Sequence, residues 1–258
     1  MEKINQEEKI MFSFFKKKES PKAVEPIQKI KVDMHSHLLP GIDDGAGNIE
    51  QSLFLIRRFI DLGYKKLITT PHVMSDFYRN TPEIILGKLE EVRAAINAEG
   101  LDIQIEAAAE YYLDEFLIEK LENNEPLLTI GGKYLLFETS FINPCSQLLH
   151  AVFLMRSSGY IPVLAHPERY TYYFPKYNDL VYLIDKGVKF QLNISSLTGY
   201  YSKQSKKIAE KLIKDKAISF LGTDCHAPKH LDQFKKAEIL PTFHEALKLD
   251  LLNNSLLD

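Results

Sequence analysis

The chain is poor in cysteine, in long apolar runs and in any excess of one charge. Cys145 and Cys225 are its two cysteines in 258 residues, too few for a disulfide framework, so a cytoplasmic location is expected. No apolar run approaches the roughly 18 residues of a membrane span. The opening residues Met1 to Ile10 are polar and acidic and lack the charged-then-apolar pattern of a secretory signal. Lysine and arginine number 32 against 35 acidic residues, for a net charge of −3, so composition does not point to nucleic acid. What is present is ordinary for a globular chain: 45% hydrophobic and 26% charged residues. An α/β barrel of about 250 residues would count as one domain.

Residues 1–28 are polar and lysine-rich, contain Pro21 and Pro26, and are expected to form a flexible tail ahead of one domain over 29–258. Within the tail, Met11-Phe12-Ser13-Phe14-Phe15-Lys16-Lys17-Lys18 sets an aromatic cluster beside a basic run, either plain tail or a contact for a membrane or partner. From residue 30 the chain alternates strand-like and helical patterns. Strands are predicted over 31–37, 65–70, 103–111, 134–138, 161–165, 188–193 and 218–222. The run Ala107-Ala108-Ala109 weakens the third. Helices are predicted over 49–63, 81–99, 115–123, 147–158, 180–186, 205–214, 232–240 and 242–253. Asn48 and Thr81 serve as N-caps, Pro82 stands at a first helical position, and Gly63, Gly100, Gly159 and Gly187 act as stops. Successive strand ends near 37, 72, 110, 138, 166, 193 and 226 lie 27 to 38 residues apart. That rhythm matches βα units of a barrel, here with seven strands, or an open relative of one.

The polar residues at those ends share a chemistry. The first carries His35 and His37 in Asp33-Met34-His35-Ser36-His37, two apart and so on one face of a strand, with Asp43 and Asp44 just beyond. The second carries His72, the third Glu110, the fourth Glu138 and the fifth His166. The last carries Asp224 and His226, again two apart, with Cys225 between them read as core packing. The sixth offers only Asn193, and Glu168 follows Pro167 in a turn outside the proposed ligand set. Taken singly, a histidine or glutamate at a strand end is most often a cap or a surface residue. Five of the chain's eight histidines fall in this ordered set, at the end of the strands where parallel barrels build their sites, and that points to a metal centre.

The run from Asp33 through Leu38-Leu39-Pro40-Gly41-Ile42-Asp43-Asp44-Gly45-Ala46 carries a resemblance when joined to three later pieces. These are Thr70-Pro71-His72, His166-Pro167-Glu168-Arg169-Tyr170 and Thr223-Asp224-Cys225-His226. Together they resemble the polymerase and histidinol phosphatase (PHP) family, and within it the bacterial capsule-biosynthesis protein-tyrosine phosphatases of CpsB/CapC type. The resemblance covers residues 31 to 250. It implies a distorted (β/α)7 barrel, TIM-like, with three metal ions at its mouth. By position, His35, His37, Glu110 and Asp224 would hold the first ion. Glu110 would be shared with a second at Glu138 and His166. Asp44, His72 and His226 would hold the third. Many PHP members have histidine where Asp44 stands, and the carboxylate makes that site harder. Imidazole and carboxylate without thiolate suit Mn2+, Fe, Zn2+ or Co2+, and the tyrosine-phosphatase relatives imply manganese.

The implied reaction is metal-dependent hydrolysis of phosphotyrosine on a protein, by resemblance the tail of a bacterial tyrosine kinase controlling capsular or exopolysaccharide synthesis. Clustered dications would offset the ester's negative charge and activate water. Arg169 could offer its fork of donors to the phosphoryl oxygens, or could serve a structural ion pair. Phe77 and Tyr78 could flank the aromatic ester or merely pack their loop, and Tyr170, Tyr172, Tyr173 and Phe174 carry the same ambiguity. A thiolate mechanism is excluded, because the sixth residue after Cys145 is Ala151 and after Cys225 is Leu231, where a Cys-x5-Arg loop needs arginine. Two other readings share the motif set: a small-molecule phosphatase of histidinol-phosphate type, and a non-catalytic regulator that binds a kinase. A proofreading nuclease is disfavoured by the lack of a polymerase region and of a basic stripe.

Overall fold

A computed structural model describes residues 30–257. The predicted tail and its aromatic-basic cluster lie outside the described residues. The order begins with β1 (Val32–Asp33), α1 (Ile49–Asp61), β2 (Lys66–Thr69), β3 (His72–Val73), α2 (Pro82–Ala98), β4 (Gln104–Ala107) and β5 (Glu110–Tyr112). It continues with α3 (Glu115–Glu122), β6 (Tyr134–Glu138), α4 (Leu148–Ser157), β7 (Ile161–Ala165), α5 (Tyr177–Asp185), β8 (Lys189–Asn193) and α6 (Lys203–Lys214). It closes with β9 (Phe220–Gly222), α7 (Pro228–Glu238) and α8 (Pro241–Ala246).

Every paired strand runs parallel to its neighbour, in two sheets ordered β1-β2-β4 and β3-β5-β6-β7-β8-β9. The second predicted strand ends before Pro71 as expected and a short further strand, β3, follows it, whereas the third is cut in two. Pro71 has no N–H to donate and separates β2 from β3; Ala108 and Ala109 separate β4 from β5. The first and last strands also meet. Ser36 bridges Cys225 in parallel fashion, His37 N–H donates to the Cys225 carbonyl at 2.9 Å, and Asp224 N–H to the His35 carbonyl at 2.8 Å. At the opposite end the buried Asn253 amide spans the same two strands, donating to the Val32 carbonyl (3.1 Å) and the Leu221 carbonyl (2.7 Å) while accepting from Leu221 N–H (3.0 Å).

Helix starts follow local chemistry. Asn48 accepts the Gln51 N–H and Thr81 the Ile84 N–H, each satisfying a donor the helix leaves free. Two helices near the end differ from expectation. Pro228 opens α7 four residues early, since its fixed φ suits a first helical position. The predicted last helix stops at Ala246 instead of 253, because Asn253 is drawn into the strand contacts above. Alternation along the strands divides the core. Val32, Met34, Ile68, Tyr134, Leu136, Val163, Ala165 and Phe220 form one apolar cluster, and the intervening residues pack against the helices. Glu138 shares the face of Tyr134 and Leu136, so the periodicity that builds the inner core also aims a carboxylate along it. No helix among the described residues is long and apolar enough to cross a membrane.

Candidate metal centre

All nine side chains predicted as ligands converge at the carboxyl ends of the strands. They fall into four overlapping groups whose donor atoms lie within 4.8 Å of one another: His37, Asp44, His72 and His226; His35, His166 and Asp224; His35, His37 and Glu110; and His72, Glu110 and Glu138. Glu110 is the hub. Its Oε2 lies 3.2 Å from His35 Nε2, 3.5 Å from His37 Nε2 and 3.1 Å from His72 Nδ1, and its Oε1 lies 3.0 Å from His166 Nε2. Asp44, half exposed at the rim, stands 3.5 Å from His72 Nε2 and 3.3 Å from His226 Nε2.

Not every ligand arrives by strand alternation. His166 and Asp224 have φ of +36° and +49°, a region that side-chain-bearing residues rarely adopt. Two of the four such residues outside glycine among the described residues thus sit in the site, where local strain is held by surrounding structure. Asp224 and His226 share the site because the backbone turns at Asp224, whose strand has already ended at Gly222. Close packing supports the arrangement. A Cβ on Gly45 would lie 2.2 Å from the His37 carbonyl oxygen, and one on Gly222 would lie 2.9 Å from His35 Cβ.

A second layer of side chains sets the rings. His35 Nδ1 donates to Gln191 Oε1 at 2.7 Å, and His37 Nδ1 to Asp43 Oδ2 at 2.8 Å. Asp43 also accepts the Gly45 and His72 N–H groups. Gln191 Nε2 donates to Asn193 Oδ1, and Asn193 Nδ2 donates to Asp224 Oδ2 at 2.7 Å. The sixth predicted strand therefore contributes two inward amides that tie His35 to Asp224. Gln191 went unrecognised in the sequence, and Asn193 and Asp43 were noted there by position only, without these roles. The available signal was two amides spaced i,i+2 on a strand otherwise apolar between lysine and turn. Glu168 contributes differently: fully buried, it accepts the Asn193 N–H and the Ser196 hydroxyl, and burial lifts its carboxyl to about 7.

These bonds test whether a cation fits. With their protons on Nδ1, His35 and His37 turn lone pairs inward from Nε2 atoms only 3.4 Å apart, facing the Glu110 and Asp224 carboxylates. Acceptors meeting acceptors is the arrangement a metal ion reconciles. Buried Glu110 Oε2 and His166 Nδ1 have no hydrogen-bond partner among the described residues. The electrostatics call for positive charge in the same place. Burial alone would raise Glu110 and Asp224, yet the surrounding histidines hold both carboxyls well below their usual range, with Arg169 contributing at Asp224. Burial and His37 would lower His72, but Glu110 and Glu138 lift it to about 10. A hydrogen bond from His226 takes Asp44 down to about 2. The donor set suits Mn2+, Fe, Zn2+ or Co2+.

The centre opens into a cleft of about 450 Å3. Arg169 stands in its wall, its guanidinium 4.3 Å from the Phe141 ring centre and 4.1 Å from that of Tyr201, and its Nη1 donates to Asp224 Oδ2 at 2.9 Å. Tyr78 lines the cleft and stacks on His72 at 5.5 Å. Phe77 does not line it. Met74 and Tyr78 exchange backbone hydrogen bonds, which leaves Phe77 on the tip of that turn with 76% of its surface exposed. Of the second aromatic group, Tyr170 is wholly buried, donates to the Ala165 carbonyl and stacks on Phe141. Tyr172 bonds the Thr139 hydroxyl. Both support the loops that carry Glu138 and His166. Cys225 is buried as core, as expected.

A family model for capsular polysaccharide synthesis proteins, CpsB/CapC, matches residues 31–237. The chain belongs to the CpsB/CapC family. It is 28% identical over 198 residues to tyrosine-protein phosphatase YwqE of Bacillus subtilis, covering 77% of this chain and 78% of the relative. It is 26% identical over 200 residues to tyrosine-protein phosphatase CpsB of Streptococcus agalactiae, covering 76% and 82%. Among solved structures, one described under YwqE from Bacillus subtilis and CpsB from Streptococcus pneumoniae, metal-dependent tyrosine phosphatases, superposes with a TM-score of 0.75 at 26% identity, over 84% of this chain and 90% of the other. Histidinol phosphate phosphatase from Lactococcus lactis superposes at a TM-score of 0.53 and 15% identity, over 81% of this chain and 94% of that one, a likeness of fold alone. The fold is thus a mixed α/β arrangement of parallel strands shared with the CpsB/CapC relatives and with PHP-like proteins.

Proposed function

We propose that this CpsB/CapC member is a metal-dependent phosphatase acting on phosphotyrosine in protein. The observation that carries the reading is the convergence of nine imidazole and carboxylate side chains beneath a cleft whose wall presents Arg169. The hydrogen bonds between the first and last strands support closure of the two sheets into a distorted (β/α)7 barrel with this centre at its mouth. His35, His37, Glu110 and Asp224 would hold one ion; Glu110, Glu138 and His166 a second; Asp44, His72 and His226 a third, with manganese the preferred metal.

Bound divalent ions would supply charge neutralisation and water activation. The chain's own residues do the remaining work. Asp43 and Gln191 hold the Nδ1 protons of His37 and His35, which leaves Nε2 of each ring as the atom that would meet a metal ion. Arg169 is pre-oriented by two rings and by Asp224, leaving Nε and Nη2 of its fork without a partner among the described residues and free for phosphoryl oxygens. Tyr78, stacked on His72 at the cleft wall, gives an aryl ester a flat apolar surface. A phenolate leaves with a conjugate-acid pKa near 10, so little proton transfer is required of the protein.

The substrate we propose is phosphotyrosine on a bacterial tyrosine kinase that governs capsular or exopolysaccharide synthesis, hydrolysed in the cytoplasm. The test compares phosphotyrosyl peptide, phosphoserine peptide and histidinol phosphate on one metal-analysed sample. Hydrolysis of the first should dominate, vanish with chelator and return with Mn2+. Activity that survives exhaustive chelation, or a preference for histidinol phosphate, would overturn the proposal.

A further inference from the structure

His230 lies outside the nine ligand positions, yet it lines the cleft beside His226. It is the third residue of α7, the helix opened by Pro228. From there its ring reaches back, and Nδ1 accepts the His226 backbone N–H at 2.9 Å. The contact parallels a capping box, in which the third helical side chain satisfies an N–H at the helix start. Here the capping group is an imidazole, and that has a chemical consequence. An Nδ1 that accepts a backbone N–H carries no proton, so a neutral ring must carry its proton on Nε2. Nε2 has no hydrogen-bond partner among the described residues, although the residue is only 9% exposed. Tyr200 packs edge-on against the ring at 5.5 Å and His226 at 5.7 Å, which fixes its plane.

We propose that His230 is a substrate-contacting residue: its Nε2–H is a fixed, uncharged donor to a phosphoryl oxygen of the bound ester or of product phosphate. This rests on the phosphoesterase reading above and adds to it a donor that differs from Arg169 in carrying no charge. No proton is transferred, and the ring remains neutral throughout. Arg169 and His230 line the same cleft, so a phosphoryl group over the metal centre meets a cationic fork and a neutral donor.

Two amide substitutions separate this role from a purely structural one. In His230→Asn the amide oxygen takes the place of Nδ1 and preserves the contact to His226 N–H, but the donor toward the cleft is lost. In His230→Gln the amide nitrogen takes the place of Nε2 and preserves the donor, while the contact to His226 is lost. The readouts are the inhibition constant of inorganic phosphate against an aryl phosphate, the separate kcat and KM values, and metal content. We expect His230→Asn to weaken phosphate inhibition about tenfold or more with metal content unchanged, and His230→Gln to recover most of that loss. Unchanged phosphate inhibition in His230→Asn, or a loss confined to His230→Gln, overturns the proposal. A second measurement needs no variant. In zinc-loaded native protein, nitrogen NMR of the histidines should show His230 protonated on Nε2, with that signal shifting on addition of phosphate. A signal that stays put while phosphate inhibits also overturns it. Failure of the phosphatase reading itself is distinguishable, because the native protein would then lack metal-dependent aryl phosphatase activity.

Discussion

Replacing Arg169 tests the centre most directly, because the structure gives this side chain two separable contacts. One is the ion pair to Asp224 at 2.9 Å; the other is the stacking between Phe141 and Tyr201, which leaves the side chain 22% exposed. If the free edge of the guanidinium binds a phosphoryl group, Arg169→Ala removes charge-assisted hydrogen bonds worth about 1.5–3 kcal/mol each. The loss in kcat/KM should then be about 100-fold or more, at roughly 1.36 kcal/mol per factor of ten. Arg169→Lys keeps a charge but neither the planar fork nor the full stacking, and should fall between the two, about tenfold below the native protein. Metal content should be unchanged in both, since Asn193 still donates to Asp224 at 2.7 Å. The assay is steady-state hydrolysis of a phosphotyrosyl peptide with elemental analysis of each sample. Activity of Arg169→Ala within twofold of native refutes the reasoning. So does loss of metal in proportion to loss of activity, which would assign the residue to holding Asp224.

Gly45→Ala should lose at least tenfold in activity and about 1–3 kcal/mol in stability by thermal unfolding, because the new Cβ would meet His37 O at 2.2 Å and His37 Cβ at 2.5 Å, displacing the Asp43–Asp44 turn. Tyr78→Ala should raise KM for aryl phosphates several-fold and Phe77→Ala should leave it within twofold, since Tyr78 lines the cleft and Phe77 points into solvent; equal effects in peptide kinetics would contradict that assignment. Glu168 provides a pH test. Burial raises its carboxyl from 4.5 to about 7, so between those values the folded protein holds a proton that the unfolded chain has released. Its contribution is fully present below about pH 4.5 and is lost as pH rises through 7, by up to about 3 kcal/mol. Glu168→Gln should flatten that fall in melts recorded from pH 5 to 8, and an unaltered slope would show that another group is responsible.

Much of the architecture was legible along the chain. Tyr134–Glu138 and Ile161–Ala165 form strands with the bounds their apolar runs predict, and Asn48 and Thr81 cap the helices they precede. Those signals are local: a cap bonds two or three residues away, and alternation needs only its own strand. The stop at Pro71 was legible, whereas the short strand resuming at His72 and the break at Ala108 were not, because whether a strand continues depends on the neighbour it pairs with.

By itself the sequence singled out the residues proposed to hold the metal ions and their order along the chain. His35, His37, His72, Glu110, Glu138, His166, Asp224 and His226 were named from strand-end position and Asp44 through the family resemblance, and the donor atoms of all nine come together. Tertiary structure alone decided how they meet. The left-handed turns at His166 and Asp224, the hub position of Glu110, and the relay from His35 through Gln191 and Asn193 to Asp224 join residues up to 189 positions apart. The same holds for Phe77 facing solvent, Arg169 held between two rings, and His230 turned toward the cleft. The reason is physical. Residue type and period specify what a segment can offer, whereas a ring's protonated nitrogen or a carboxylate's partner is set by contacts that exist only once distant strands lie side by side.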